Sequence, residues 1–464
     1  MIDWRRAVVF THRWLGIFGC LLFGAWFVSG IVMMYARMPR LEPAERHARL
    51  TPLDLSTVTV APAAVVQRDR LVPDRFRVAM LAGRPVYHVI GGARAATIFA
   101  DTGERLDGLT RDQALAEARR FAPEHAGTMR YDARLTDPDQ WTLQNRADFP
   151  LHRIALGDAD DTYLYLSERS GEVVVKTDAR ARRIAYAGAV LHWIYFTPFR
   201  RNGVLWAQSI IWLSIAGSVM CLLGLVWGIY TGVKSPYRGW LRWHHYAGLA
   251  FGVVSFTWIF SGLLSMDPWD WHPSTSPTRA QREAFSGGPL RLAALTIDDL
   301  RAAASPGAKE LEVVQFKGAA RWLVDGRPGS PIDRDALVAA ARDAMPHVEV
   351  ADETMLEQYD AHYYDRTGEL PLPVLRVRFA DAQGTWLYVD PGRGRIARVE
   401  ARLSRVNRWL YHGLHSLDFP FLYRRRPLWD IVVISLSLGG MASVVTSLAP
   451  AWRRLRRHAH RLYS

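Results

Sequence analysis

The chain has 464 residues, with 58 Lys and Arg against 45 Asp and Glu, a formal charge of +13 and a mean hydropathy of −0.05. That neutral mean hides segregation: apolar runs of about 20 residues alternate with polar stretches, which excludes a wholly soluble basic protein. Disorder is excluded by 49% hydrophobic residues and 18 tryptophans. The two cysteines, Cys20 and Cys221, fall inside apolar runs, so the polar segments have no disulfide framework and no thiolate metal site.

Residues 14–34 hold no charge and, at about 1.5 Å per residue, reach about 31 Å as a helix, enough to cross a hydrocarbon core. Arg5 and Arg6 precede this run as they would a signal peptide. It is too long for one and no small-x-small cleavage site follows, so residues 1–35 read as a short segment and a retained helix. Residues 36–185 form a first polar domain. Within it, 76–89 is strand-like, 112–121 has helical spacing opened by Thr110 as N-cap, and 162–166 alternates as a strand. A juxtamembrane segment and second span occupy 186–233, with the apolar run at 204–233. A short loop and third span follow over 234–266, apolar from 246. The second polar domain, 267–403, repeats the plan, with strands in 311–323 and 385–389 and a helix over 335–344 capped by Asp333. Residues 404–449 hold a juxtamembrane segment and a last apolar run at 428–449, and 450–464 is a basic tail. Each polar domain reads as two small helix-plus-sheet units in series.

Charge orients the spans. The N-terminus, the loop after the second span and the tail carry 11 basic residues against one acid, Asp3. The positive-inside rule places both termini in the cytoplasm and residues 36–203 and 267–427 on the far side. The lipid bilayer, with its anionic headgroups, accounts for the basic charge, and no nucleic-acid partner is needed.

Self-comparison carries most of the information. A shift of 232 lays His12, Gly16, Trp26, Ser29, Gly30 and Met34 on His244, Gly248, Trp258, Ser261, Gly262 and Met266. A second register, shifted by 223, reads without a gap from about 111 to 206. It pairs Arg111-Asp112 with Arg334-Asp335, Arg153 with Arg376, Leu164-Tyr165 with Leu387-Tyr388, Leu191-His192 with Leu414-His415, and Leu205-Trp206 with Leu428-Trp429. The fold expected is an integral membrane α-helical protein with four transmembrane helices from an internal duplication and two α+β extracytoplasmic domains.

The His12-Arg13-Trp14-Leu15-Gly16 opening with Ser29-Gly30, the Thr-Tyr-Leu-Tyr and Thr-Trp-Leu-Tyr strands before Gly171 and Gly394, and the Leu-His ahead of the next span resemble PepSY-associated transmembrane proteins. The resemblance covers nearly the whole chain. It implies PepSY-like external domains, and it is similar in plan to a branch of diheme ferric-siderophore reductases of the bacterial inner (cytoplasmic) membrane, with periplasmic ectodomains.

Of 15 histidines, two positions recur in both halves. His12 and His244 stand at the cytoplasmic edge of their helices, and His192 and His415 on the external side. A pseudo-two-fold axis along the membrane normal would set each pair face to face, as a six-coordinate haem iron requires. The expectation is two b-type haems per chain, one near each face; with no Cys-x-x-Cys-His, covalent attachment is excluded. His245, beside His244, and His412, three before His415 and on its face, stay open as alternatives. Arg13, Arg201 and Arg424, with Arg200 and Arg425, are candidates for haem propionates or equally headgroup anchors. Trp26 and Trp258 lie mid-helix, where packing beside small residues explains them. Trp269, Trp271 and His272 are candidate contacts for a ferric chelate, and His362 with Tyr363 and Tyr364 for a metal.

These residues point to an electron conduit that reduces an external ferric siderophore or other ferric chelate. Without a Gly-x-Gly-x-x-Gly between strand and helix, its electron donor is another, unidentified molecule. The alternative is a haem-free PepSY membrane protein that binds or regulates an envelope partner such as a peptidase. A transporter would also use parallel repeats, but four spans are few and none carries a charge at its middle.

Overall fold

The computed structural model describes residues 3–70, 72–91, 94–366 and 368–463. The chain divides into two units, one of residues 1–38, 180–272 and 405–464, the other of 39–179 and 273–404.

The first unit is built on four helices long and apolar enough to cross a membrane: α1 (Trp4–Met33), α2 (Gly203–Thr231), α3 (Trp240–Leu264) and α4 (Leu428–Tyr463). Helices α1 and α3 each pack on both α2 and α4, so they face one another across the bundle. Large apolar side chains remain uncovered on its outside, Phe18 at 79%, Leu21 at 74% and Ile229 at 70% exposure. Water would not leave such a surface bare, whereas acyl chains cover it at no cost.

Helix α1 starts ten residues before its apolar run, because Asp3 caps it through the Arg5 N–H at 3.1 Å and the basic residues between are good helix formers. At the other end α4 continues through Pro450 into the basic tail. The apolar runs mark the part of each helix suited to lipid, and not where the helix ends. The run 428–449 also carries an acid: Asp430, in the first turn of α4, is buried, accepts from Tyr35 Oη at 2.9 Å and lies 3.5 Å from Arg426. A carboxylate there meets the positive end of the helix dipole.

The second unit holds three antiparallel sheets. Strands β1 (Arg75–Leu81), β2 (Arg84–Gly91) and β3 (Arg94–Phe99) open the first polar segment, followed by β4 (Arg130–Leu135), β5 (Leu151–Ala155), β6 (Tyr163–Ser167) and β7 (Val173–Thr177). The second segment gives β8 (Leu311–Phe316), β9 (Ala319–Val324), β10 (Arg327–Pro328), β11 (Val350–Leu356), β12 (Val374–Phe379), β13 (Trp386–Asp390) and β14 (Arg395–Glu400). The four strands β4–β7 form one meander, and β11–β14 another. Helices Arg111–Phe121 and Arg334–Ala344 lend apolar faces to their cores, Ala114 and Ala118 with Ile154 and Leu164 in one, Leu337 and Ala341 with Leu375 and Leu387 in the other. Thr110 and Asp333 cap these helices as the sequence predicts, Thr110 in a full capping box.

Two sequence expectations change here. The strand runs expected at 76–89 and 311–323, in separate polar domains, belong to one six-stranded sheet, ordered β10-β9-β8-β1-β2-β3. Its join is the β1–β8 pairing, Phe76 with Val313 and Val78 with Leu311, over a shared core of Tyr87, Ile98 and Leu300. A three-stranded piece alone would expose an edge and half a core, and pairing removes both. The 223 register also breaks: Ala133 pairs with Arg153, but Thr354, 221 residues on, pairs with Arg376. A short turn, Pro123–His125, lengthens the first connection, and the β11–β12 loop is longer by the same two residues than the β4–β5 loop. Two compensating gaps are invisible to an ungapped comparison.

The shared sheet is stapled by buried charge. Arg77 on β1 donates to Glu172 and Glu310 at 2.7 Å each, and Arg46 to Glu310 at 2.8 Å. His88 on β2, also buried, bonds Thr97 at 3.1 Å.

Candidate functional site

His12 on α1 and His244 on α3 face each other, ring centroids 6.2 Å apart and planes inclined by 34°. His12 Nδ1 lies 2.9 Å from the Met220 carbonyl on α2, and His244 Nδ1 2.9 Å from the Ser443 carbonyl on α4. A carbonyl only accepts, so each Nδ1 carries the ring proton and each Nε2 keeps its lone pair.

The second pair is built by irregular backbone. π-Helical turns, Tyr186–Val190 and Trp409–Gly413, run into single turns Leu191–Trp193 and Leu414–Ser416 that carry His192 and His415. Both end in a left-handed residue, Ile194 at φ 53° and Leu417 at φ 52°, costly for any side chain and most for the β-branched Ile194. Trp206 and Trp429 hold these ends, each Nε1 donating at 2.9 Å to the carbonyl of Trp193 or Ser416. π-Turns and strained residues cluster where a protein aims a side chain. Here both aim a histidine.

His192 and His415 stand 6.0 Å apart, planes at 73°. His192 Nδ1 meets Ser29 Oγ at 3.0 Å and His415 Nδ1 meets Ser261 Oγ and the Trp258 carbonyl, both at 3.1 Å. Each serine hydroxyl already donates within its own helix, Ser29 to the Ala25 carbonyl and Ser261 to that of Trp258, so toward the ring it accepts. The tautomer is the same as in the first pair.

The spacing is compatible with one metal between each pair. Imidazole nitrogens bind first-row metals at about 2.0–2.1 Å, and the ring centre lies about 1.15 Å beyond the nitrogen, so two rings on opposite sides of one metal have centroids about 6.3 Å apart. Both pairs match this. Ser29 lies 17 residues beyond His12 on α1, and Ser261 17 beyond His244 on α3, which separates the two levels by about 26 Å. Among the described residues no group of three or more His, Cys, Asp or Glu could hold a bare metal ion. A macrocycle that brings its own four nitrogens would need only two further donors, which each histidine pair could supply.

The alternatives go elsewhere. His245 turns to α2, where Nε2 lies 3.1 Å from Thr231 Oγ1 and 3.3 Å from the Gly228 carbonyl, the opposite tautomer from His244. His412 packs on Tyr411, ring centroids 4.4 Å apart and planes inclined by 40°. Arg13 lies over Phe10, and Arg200 over Trp206 at 4.4 Å; the Nε of each is buried without a hydrogen bond. Arg201, Arg424 and Arg425 are exposed. Trp258 packs on Phe27, and Trp26 on Phe23. Trp269 is 82% exposed, while Trp271 stands edge-on to His272, which meets Asn407 at 2.9 Å. His362 stands edge-on to Trp386, and Tyr363 is buried against Tyr388.

Sequence reasoning missed the positioning groups. Ser29 and Ser261 recur in the 232 register and Trp206 and Trp429 in the 223 register, yet the sequence assigns none of them a role toward the histidines, and the Met220 and Ser443 carbonyls, themselves 223 residues apart, leave no trace in side-chain identity. No protein-family model and no curated protein matches the chain.

Proposed function

We propose that the chain is a diheme b-type electron-transfer protein of the bacterial inner membrane, of the PepSY-associated transmembrane kind, that reduces an external ferric chelate such as a ferric siderophore. The carrying observation is the pair of facing imidazoles at each level, spaced for one metal with every Nδ1 tied to an acceptor. Haem, when bound, supplies one-electron chemistry between ferric and ferrous iron.

The protein's own part is to hold and orient. His12 with His244, and His192 with His415, would hold the two haem irons. The Met220, Ser443 and Trp258 carbonyls and the two serines keep each ring in one tautomer and raise its basicity, the usual second layer of a metal site. Arg13 and Arg200, buried in part with an Nε unsatisfied, suit propionates better than the exposed Arg201 and Arg424. The recurrence of whole contacts at offsets of 232 and 223 supports an internal duplication, and the basic termini support a cytoplasmic side for the His12 level. Reduction at the far face would loosen a hard oxygen chelate, which holds Fe(II) less tightly than Fe(III).

The test is a dithionite-reduced minus oxidised spectrum of the detergent-purified protein, with a pyridine haemochrome count. Sharp low-spin b-type bands at two haems per chain are expected. A colourless protein after expression with added haem would overturn the reading and leave an envelope-partner module.

A further inference from the structure

We propose that the two histidine levels are built unequal: Ser29 and Ser261 are positioning residues that hold the outer imidazoles crossed, which makes iron at that level the stronger electron acceptor. The inference rests on the diheme reading above and gives it a direction, from the His12–His244 level outward. The rings are the first observation. His12 and His244 have planes inclined by 34°, His192 and His415 by 73°. An imidazole on iron gives π electrons only to the d orbital that lies across its own plane. Aligned rings raise one such orbital between them and favour the ferric ion, whose single vacancy sits there. Crossed rings divide the effect over two orbitals and stabilise Fe(III) less.

The hydrogen bonds act in the same direction. Each inner Nδ1–H is held by one backbone carbonyl, Met220 or Ser443, at 2.9 Å. Each outer Nδ1–H is shared in a fork: His415 between Ser261 Oγ and the Trp258 carbonyl at 3.1 Å each, His192 between Ser29 Oγ at 3.0 Å and the Trp26 carbonyl. A longer, divided bond draws less on the ring proton, leaves the imidazole a weaker donor to the metal, and so favours Fe(II).

Packing does not account for the serines. Both are fully buried, and each hydroxyl is already satisfied by a carbonyl of its own helix, Ser29 by Ala25 at 2.6 Å and Ser261 by Trp258 at 3.0 Å. Alanine would fill nearly the same space without a polar atom in the bundle. What the hydroxyl adds is a lone pair aimed at a histidine, in both halves. The next residue completes the seat: a Cβ on Gly30 or Gly262 would lie 3.6 or 3.7 Å from Cε1 of His192 or His415, so each ring rests close against its helix. A ring can turn about its bond to iron, and the Nδ1 partner decides where it stops; the repeat applies that stop from opposite sides. The transfer favoured is one electron from ferrous iron held by His12 and His244 to ferric iron held by His192 and His415. No covalent bond changes, and every Nδ1 keeps its proton.

The experiment is a potentiometric titration of the detergent-purified protein, with electron paramagnetic resonance of its oxidised form. Two one-electron steps are expected, at least tenfold apart in reduction equilibrium, or about 59 mV. Two low-spin ferric signals should accompany them, one with the large g anisotropy that crossed rings produce. His244→Ala, which removes the inner haem, should leave the higher step and the strongly anisotropic signal. Ser29→Ala with Ser261→Ala should move that signal and that step and spare the inner pair, while threonine at both positions, which keeps the hydroxyls, restores them. If the double variant does not fold, either single variant reads the same shift. A single midpoint with one kind of signal, the higher step at the inner level, or serine variants with both signals unchanged would overturn the inference and leave the haem reading standing. A protein without haem overturns both.

Discussion

Gly224 on α2 offers a sharp test of the inner pair. A Cβ there would lie 2.5 Å from His12 Cε1 and 2.8 Å from its Nδ1, closer than non-bonded atoms allow. With ordinary carbon contacts at about 3.5–4.0 Å, the imidazole must withdraw by about 1 Å in Gly224→Ala. The Nδ1 bond to Met220, now 2.9 Å, would stretch past hydrogen-bonding range, at a cost of about 1 kcal/mol. Metal–ligand distances tolerate only about 0.2 Å, so the 6.2 Å pair would no longer suit one iron. By contrast, a Cβ on Gly30 would sit 3.6 Å from His192 Cε1, an ordinary contact, and one on Gly248 would meet nothing within 4 Å. The expectation is one haem per chain in Gly224→Ala and two in Gly30→Ala and Gly248→Ala, by pyridine haemochrome and reduced-minus-oxidised spectra. Two haems with unchanged spectra in Gly224→Ala would refute the argument.

Three other outcomes follow from the geometry. His244→Ala should lose the inner haem while His245→Ala keeps both and costs only about 1 kcal/mol for its bonds to Thr231 and Gly228, read by haem content against thermal melting. Arg77→Met leaves Glu172 and Glu310 buried against Arg46 alone and should destabilise the sheet unit by about 3–5 kcal/mol, seen as a lower melting transition with haem content intact. Acid should weaken the same unit: burial, against Glu172 and with Arg77, pushes His88 down to about 4 from 6.5, and Glu310, though burial works to raise it, is held below its usual range by Arg77 and Arg46. Both groups bind more protons unfolded, so the stability they contribute is complete above about pH 6.5 and falls as pH drops, by about 3 kcal/mol for His88 by pH 4 and further below pH 4.5 through Glu310. A melting temperature that does not fall between pH 7.5 and pH 4.5 would contradict this.

The long helices were legible because composition alone separates apolar from polar chain, and lipid-suited runs need no partner to be recognised. Helices 111–121 and 334–344 were legible for a local reason too: Thr110 and Asp333 satisfy the first free N–H groups of whatever follows them. The histidines stood out since two registers reproduced them, a comparison of the chain with itself.

What the sequence determined by itself is therefore local or periodic: four apolar spans, two capped helices, the strands near 162–166 and 385–389, and which histidines recur. Tertiary structure alone decided that His12 meets His244 and His192 meets His415, that His245 turns away to Thr231, and that β1 and β8 join strands 233 or more residues apart in one sheet. The reason is physical. A tautomer is set by a carbonyl contributed by another helix, and an edge strand is completed by whichever edge folding brings beside it. Neither is encoded in the residue that depends on it.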